Sequence, residues 1–223
     1  MKYFLLTLLI TMYLVLIILN ISGCKENSTQ VVHAQNYIMP LAVGNMWVGQ
    51  LKKYDSTGTL LETVYDTTRI VSDTTLNGTT WYLSYEALYR NDSWGLKEYD
   101  VYAEYERQML HYPSELGFKH FIDTAVIKTK LSNGEYQKDT IIFGLETAST
   151  DTIIITPLDT FHCYYYKPCT KKLDGTSSTL EFPMVGSYWY APGIGPIRKT
   201  IIDLSDGLGI NKLVWELTYF NLN

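Results

Sequence analysis

The apolar residues of this chain recur at every second position rather than at every third or fourth, and that period constrains its fold more than any other feature. From Thr80 to Tyr89, the residues Trp81, Leu83, Tyr85, Ala87 and Tyr89 share one face of an extended segment, and Tyr82, Ser84, Glu86 and Leu88 share the other. Tyr99, Val101, Ala103 and Tyr105 likewise oppose Asp100, Tyr102, Glu104 and Glu106, and Leu213, Trp215, Leu217 and Tyr219 oppose Val214, Glu216 and Thr218. Side chains that alternate in this way mark strands with one face in a core and one in water. Composition agrees: 19 Tyr, 5 Trp and 7 Phe favour half-buried sheet surfaces.

Turn signals separate the runs. Asn77-Gly78 and Asn133-Gly134 are hairpin dipeptides, because a type I′ turn needs positive φ at both central positions. Asp55-Ser56-Thr57-Gly58, Asn91-Asp92-Ser93, Asp174-Gly175 and Asp206-Gly207 are further turn candidates. The strands predicted between them are Trp47–Asp55, Leu60–Ser72, Thr79–Arg90, Leu96–Tyr105, Gln108–Tyr112, Asp123–Leu131, Tyr136–Phe143, Thr152–Thr156, Thr160–Tyr166, Thr179–Pro183, Ser187–Tyr190, Ile197–Asp203 and Lys212–Phe220. The expected fold is all-β: a single meandering antiparallel sheet, curled into a half-barrel or open barrel because so many strands do not stay flat. Ser114–Phe121 offers one short helical turn and the rest of this region none.

The N-terminus has a different pattern. Lys2 precedes an apolar run from Phe4 to Leu19, interrupted by Thr7 and Thr11 alone, and the run ends at Ile21-Ser22-Gly23-Cys24. A charged start, an apolar stretch and small residues before a cut site are the anatomy of a secretory signal. Ile21-Ser22-Gly23-Cys24 resembles a lipobox, whose cysteine thiol takes a diacylglycerol. Residues 1–23 are therefore expected to be a signal peptide. Residues 24–36, with Lys25-Glu26-Asn27-Ser28-Thr29-Gln30 after Cys24, would be the lipidated cysteine and its polar tether, and residues 37–223 one all-β domain. The alternative is a retained membrane helix, but the run stops at the lipobox and polar residues follow at once. The membrane partner would then be reached through lipid on Cys24. The expected location is the cell envelope, lipid-anchored in the outer membrane, with periplasmic face and cell surface both open.

Charge excludes one class of partner. Lys2 alone of the 18 basic residues falls in the first 23, which leaves 17 against 23 acidic residues and a formal charge of −6. Nucleic-acid binding rests on phosphate neutralisation by Lys and Arg, so no nucleic-acid partner is expected.

Three segments carry a resemblance. They are Tyr37-Ile38-Met39-Pro40-Leu41-Ala42-Val43-Gly44-Asn45-Met46-Trp47, Ile155-Thr156-Pro157-Leu158-Asp159-Thr160-Phe161-His162-Cys163 and Tyr188-Trp189-Tyr190-Ala191-Pro192-Gly193-Ile194-Gly195-Pro196-Ile197. In this order they resemble the PLxxGNxW, TPxxTFxC and WYAPGxGxI elements of TapB-like secreted proteins and lipoproteins of Bacteroidota, from about Tyr37 to Trp215. Leu158-Asp159 stands where those proteins usually have Ala-Gly, so that turn departs from the pattern. The resemblance implies a curved antiparallel sheet like the half-barrel of lipoprotein-carrier proteins, and no particular catalytic chemistry. The residues themselves read as structural: Pro40 and Gly44-Asn45 shape the entry to a strand, and Pro192-Gly193-Ile194-Gly195-Pro196 makes a rigid bend.

Candidate chemistry is sparse. Cys163 and Cys169 are the pair that an oxidising compartment could bridge. On one straight strand their Cα atoms would stand about 20 Å apart, too far for a disulfide, so a bridge requires the chain to reverse near Tyr166-Lys167-Pro168. The other reading is one buried and one loop thiol. His162, Cys163 and Cys169 lack metal-ligand spacing, and no metal or cofactor is expected. The histidines His33, His111, His120 and His162 sit beside no nucleophile motif. Glu86, Glu98, Glu104 and Glu106 could pair as hydrolase carboxylates, but the alternation puts Glu86, Glu104 and Glu106 on wet faces. Tyr82 and Tyr102, on predicted outer faces, would suit a sugar or lipid. The expectation is a non-enzymatic envelope lipoprotein, with no catalytic residues, that holds an apolar or glycan ligand in a curved sheet. The alternatives are a cell-surface scaffold and an envelope hydrolase.

Overall fold

The computed structural model describes residues 37–85, 87–101, 104–130, 136–173, 186–202 and 212–223. The signal segment, Cys24 and the tether lie outside the described residues. So do Glu86, Tyr102, the turns at Asn133-Gly134, Asp174-Gly175 and Asp206-Gly207, and the strand expected over Thr179–Pro183.

Thirteen strands follow one another among the described residues, with no helix between them: β1 Met46–Tyr54, β2 Leu60–Arg69, β3 Ser72–Leu76, β4 Thr79–Leu83, β5 Leu88–Asp92, β6 Gly95–Asp100, β7 Tyr105–His111, β8 Lys119–Lys130, β9 Tyr136–Ile155, β10 Thr160–Lys172, β11 Ser187–Ala191, β12 Gly195–Ile202 and β13 Lys212–Asn221. The fold is all-β, antiparallel and open. One sheet runs β2-β1-β13-β12-β11-β10-β9-β8 and the other β3-β4-β5-β6-β7. Every strand pairs with its sequence neighbour except at two places, β2/β3 and β7/β8, where the chain leaves one sheet for the other. The meander is thus as expected, but it is folded into two sheets rather than one. A shared core explains why: Leu96 and Leu110 from the five-stranded sheet are buried in one cluster with Trp47, Leu145, Trp215 and Leu217 from the eight-stranded sheet. Two facing sheets bury an apolar face of each, which one open sheet cannot do for itself.

Local chemistry accounts for the turns. Asn77 and Gly78 have φ of 51° and 75° and join β3 to β4 as a two-residue hairpin. Asp55 Oδ1 accepts the backbone N–H groups of Thr57 and Thr59, each at 2.8 Å, and Gly58 takes a φ of 83°. Asp92 Oδ1 accepts the Trp94 N–H at 2.8 Å in the β5–β6 turn.

The predicted Leu96–Tyr105 ends at Asp100 as β6 and Thr160–Tyr166 runs on to Lys172 as β10, and three further differences change the strand order itself. Thr79–Arg90 is two strands, β4 and β5, because the chain turns between them with the Ser84 N–H on the Ala87 carbonyl. The turn breaks the expected alternation: Trp81 and Ala87 are buried, whereas Leu83 and Tyr85 are exposed and Leu88 is buried. Tyr82, expected on a wet face, packs instead against the core. The segments Tyr136–Phe143 and Thr152–Thr156 join into one strand, β9, which runs through Gly144. Gly144 is required there, since a Cβ would lie 2.0 Å from the His120 carbonyl oxygen across the β8 bulge. Ser72–Leu76, of which only Ser72 belongs to a predicted strand (the end of Leu60–Ser72), forms β3.

The motif segments meet in space. Trp47 donates its indole N–H to the Ile194 carbonyl at 2.5 Å, and Gly193 donates its backbone N–H to Tyr37. Asn45, fully buried, donates to the Pro40 carbonyl at 3.0 Å and accepts the Asn223 N–H at 2.8 Å. The Thr156–Asp159 segment closes the β9–β10 hairpin, with Thr156 Oγ1 accepting from the backbone of Leu158 and Asp159.

Candidate functional site

The sheets do not pack solidly against each other everywhere. Strand register puts Tyr82, Tyr89, Glu98 and Arg107 in one cross-strand row of the five-stranded sheet. Directly opposed residues of a sheet point to the same side. Tyr82 and Tyr89 pack against the core, so the row faces the eight-stranded sheet. From that sheet, Tyr188 and Tyr190 of β11 point into the same interior, paired with Tyr166 and Tyr164 of β10.

Two cavities lie between the sheets and share Met109, Tyr188 and Tyr190 as common wall. The first, about 260 Å³, is bounded by Asp66, Thr67 and Thr68 of β2, the Ser84-Tyr85 turn, Tyr89, and Lys199 and Ile201 of β12. Its lining mixes carboxylate, hydroxyl and ammonium groups with apolar surface. The second, about 220 Å³, lies where β7 leads to β8 and is bounded by Leu110, Ile122, Phe143, Leu145 and the Arg107 guanidinium.

The electrostatics of the second cavity centre on Arg107. Its Nη2 donates to Glu98 Oε1 at 2.5 Å, and the two side chains are 28% and 11% exposed. Burial works against the guanidinium charge, but the Glu98 carboxylate outweighs it and raises the Arg107 pKa above its ordinary value. Arg107 Nε is buried and has no hydrogen-bond acceptor. Burial pushes the Tyr188 and Tyr190 phenols up from their usual range, so both are neutral donors at neutral pH.

The opposite side of the five-stranded sheet is occupied by its own ions. Glu106 accepts from Arg90 Nη2 at 2.8 Å and from Lys97 at 2.5 Å, Lys97 also reaches Asp92 at 2.9 Å, and the Arg90 guanidinium lies over Trp81. These charges neutralise one another and offer no cleft.

The residues singled out from sequence scatter accordingly. Glu98 faces the interior, Glu106 faces the other side of the same sheet, and Glu104 is exposed with a φ of 55°. The structure therefore does not bring Glu98 and Glu106 together in one cleft. His162 pairs with Asp151 at 2.6 Å on the exposed surface. His111 stacks on Phe118 and meets Trp94 edge-on, and His120 bonds the Met109 carbonyl at 3.0 Å. Cys163 and Cys169 are free thiols on the single strand β10, which does not reverse at Tyr166-Lys167-Pro168. Among the described residues, no group of three His, Cys, Asp or Glu side chains is placed to hold a metal ion. Tyr166 is fully buried, with its hydroxyl on the His111 carbonyl at 2.9 Å, while its neighbour Tyr165 stacks on Trp189 at 4.6 Å. The sequence pattern did not single out Arg107, Met109 and Tyr188. The signal that was available is the charge of Arg107 beside apolar Met109 and Leu110 in one short strand.

No protein-family model and no curated protein matches the chain. Among solved structures, a candidate lipoprotein from Parabacteroides distasonis is similar at 16% identity and a TM-score of 0.37, covering 84% of this chain and 99% of the other. A candidate exported protein with a YmcC-like fold from Bacteroides fragilis is similar at 13% identity and a TM-score of 0.39, covering 84% of this chain and 100% of the other. Likenesses at this level carry no argument about function.

Proposed function

We propose that this chain is a non-enzymatic envelope lipoprotein of the TapB-like kind, anchored in the outer membrane through acyl chains on Cys24, whose β domain binds an apolar or glycan ligand between its sheets. The lipobox Ile21-Ser22-Gly23-Cys24 supports the anchor. The observation that carries the binding role is the pair of cavities that meet at Met109, Tyr188 and Tyr190. Ligand sites are concave, largely apolar and aromatic, and carry a few placed polar groups. Here the aromatic wall is tyrosine, and the polar groups are Arg107 on one side and Asp66, Ser84 and Lys199 on the other.

Native mass spectrometry of the full-length protein purified from its own host's envelope tests both parts. Acyl mass on Cys24 and a reproducible co-purifying lipid or glycan are the expected results. Acyl chains retained by a Cys24→Ala variant would overturn the anchor, and a clean apo mass would overturn the ligand. A second reading, a surface scaffold, has one observation in its favour: Leu60, Leu61 and Tyr65 are exposed on β2, which pairs with β1 alone among the described strands and ends its sheet.

A further inference from the structure

We infer that the cavity between β7 and β8 takes a carboxylate-headed acyl chain, with Arg107 holding the head group and Ile122, Phe143 and Leu145 packing the chain. The inference rests on the binding role proposed above and names the class of ligand for that site.

Three observations point to this class. The walls supplied by Leu110, Ile122, Phe143 and Leu145 are hydrocarbon or aromatic, and such surface favours alkyl groups over hydroxylated sugars. Arg107 is the cation of that lining, and its Nε is buried without an acceptor although its Nη2 is engaged by Glu98. Buried donors are paired in nearly all folded proteins, so a guanidinium that lines a cavity and keeps an unpaired buried N–H has capacity for an acceptor that is not part of the chain. Finally, a guanidinium presents five N–H donors in a planar fork, which can serve one carboxylate at Nη2 and a second at the Nε edge.

The charge balance is compatible with an anion. The groups facing Arg107 are Glu98, which accepts from it, and the neutral phenols of Tyr105 and Tyr188. A ligand carboxylate would share the guanidinium with Glu98 through a charge-assisted hydrogen bond, which is stronger than a neutral one. A neutral alcohol of the same chain length would fill the same apolar walls but gain only a neutral hydrogen bond at Nε. An alkyl ammonium would meet the guanidinium as a like charge.

The test uses the full-length chain in isolated envelope membranes, with two photoreactive probes: decanoic acid and 1-decanol, each carrying a diazirine at the chain end. Cross-links are mapped by mass spectrometry to the peptides bearing Ile122 and Phe143–Leu145. The expected result is labelling of these peptides by the acid about tenfold more than by the alcohol. Arg107→Gln should abolish that preference while leaving alcohol labelling in place. Because Arg107→Gln alone strands Glu98, the paired variant Glu98→Gln with Arg107→Gln keeps the site neutral and provides the same readout in a folded protein. Equal labelling by acid and alcohol, or an acid preference that survives the paired variant, overturns the carboxylate assignment but leaves a cavity that binds chains. Failure of both probes to label these peptides overturns the acyl-chain assignment of this cavity, whereas the broader binding role falls only with a clean apo mass of the protein from its own envelope.

Discussion

Asn45 Oδ1 accepts the backbone N–H of Asn223 at 2.8 Å, so a side chain at the entry to the first strand fastens the other end of the chain 178 residues away. The same amide donates to the Pro40 carbonyl, and the Asn45 carbonyl accepts the Ile70 N–H where the chain crosses between sheets. Replacing Asn45 with Ala removes the partners of the half-buried Pro40 carbonyl and of the Asn223 N–H together. The expected cost is about 3 kcal/mol, read as a lower midpoint in guanidinium unfolding. Deleting Asn223 in the Asn45→Ala background should add less than it does in the wild type, since the two share one bond. Strictly additive costs would contradict the clamp.

Gly49 sits at the bulge of β1, where the register with β13 shifts and the ring of Trp215 lies against the backbone. A Cβ at Gly49 would fall 1.9 Å from Trp215 Cε2. Gly49→Ala should destabilise by about 1–3 kcal/mol through overpacking. Trp215→Leu should recover part of the Gly49→Ala loss, although it destabilises the wild type by opening a cavity. The signs of these two effects, measured by thermal unfolding, check the contact.

Burial lowers the pKa of His111 and of His120 below the ordinary value of 6.5, and in His120 the Met109 carbonyl offsets that effect only in part. Both rings are therefore neutral in the fold at neutral pH. A group whose folded pKa is depressed keeps its full contribution above the unfolded pKa and loses it as pH falls towards the folded value. Stability should be flat above about pH 7 and decline below about 6.5, before the carboxylates titrate. Unfolding midpoints taken at steps from pH 7.5 to 5 check the slope, and His120→Gln should flatten it.

Burial pushes the Cys163 thiol up to about 12, and it also raises that of Cys169, which is only half-buried. Only a thiolate alkylates quickly. With iodoacetamide at pH 8, Cys169 should label in the native protein and Cys163 only after unfolding, as peptide mapping will show. Protection of both sites that a reductant removes would instead mean a bridge, which the extended course of β10 does not permit.

Much of the architecture was legible along the chain because it is set by near neighbours. Asn77-Gly78 gives the type I′ hairpin through its own φ preferences, and the strands predicted from the pattern match β1, β11, β12 and β13 to within two residues at each end. Alternation misleads where a turn resets its phase. The chain reverses between Leu83 and Leu88, and Leu88 beyond the turn is buried although its pattern placed it outside. The strand expected to end at Phe143 continues through Gly144, the residue that lets β9 pass beside the β8 bulge. Glu98 and Glu106, close in sequence and both plausible as a carboxylate pair, lie on opposite sides of one sheet because their positions differ in parity across the register.

The sequence by itself determined the strand content, the antiparallel order and several turns, because each follows from local side-chain preferences and hydrogen bonds within a few residues. Only the tertiary structure decided that the meander divides at β2/β3 and β7/β8, and that β1 and β13 pair across the whole length of the domain. It alone placed Arg107, Tyr188 and Tyr190 around shared cavities. These features depend on which faces bury one another, and an apolar face carries no record of its partner: burial is non-directional, so shape and register over the whole chain make the choice.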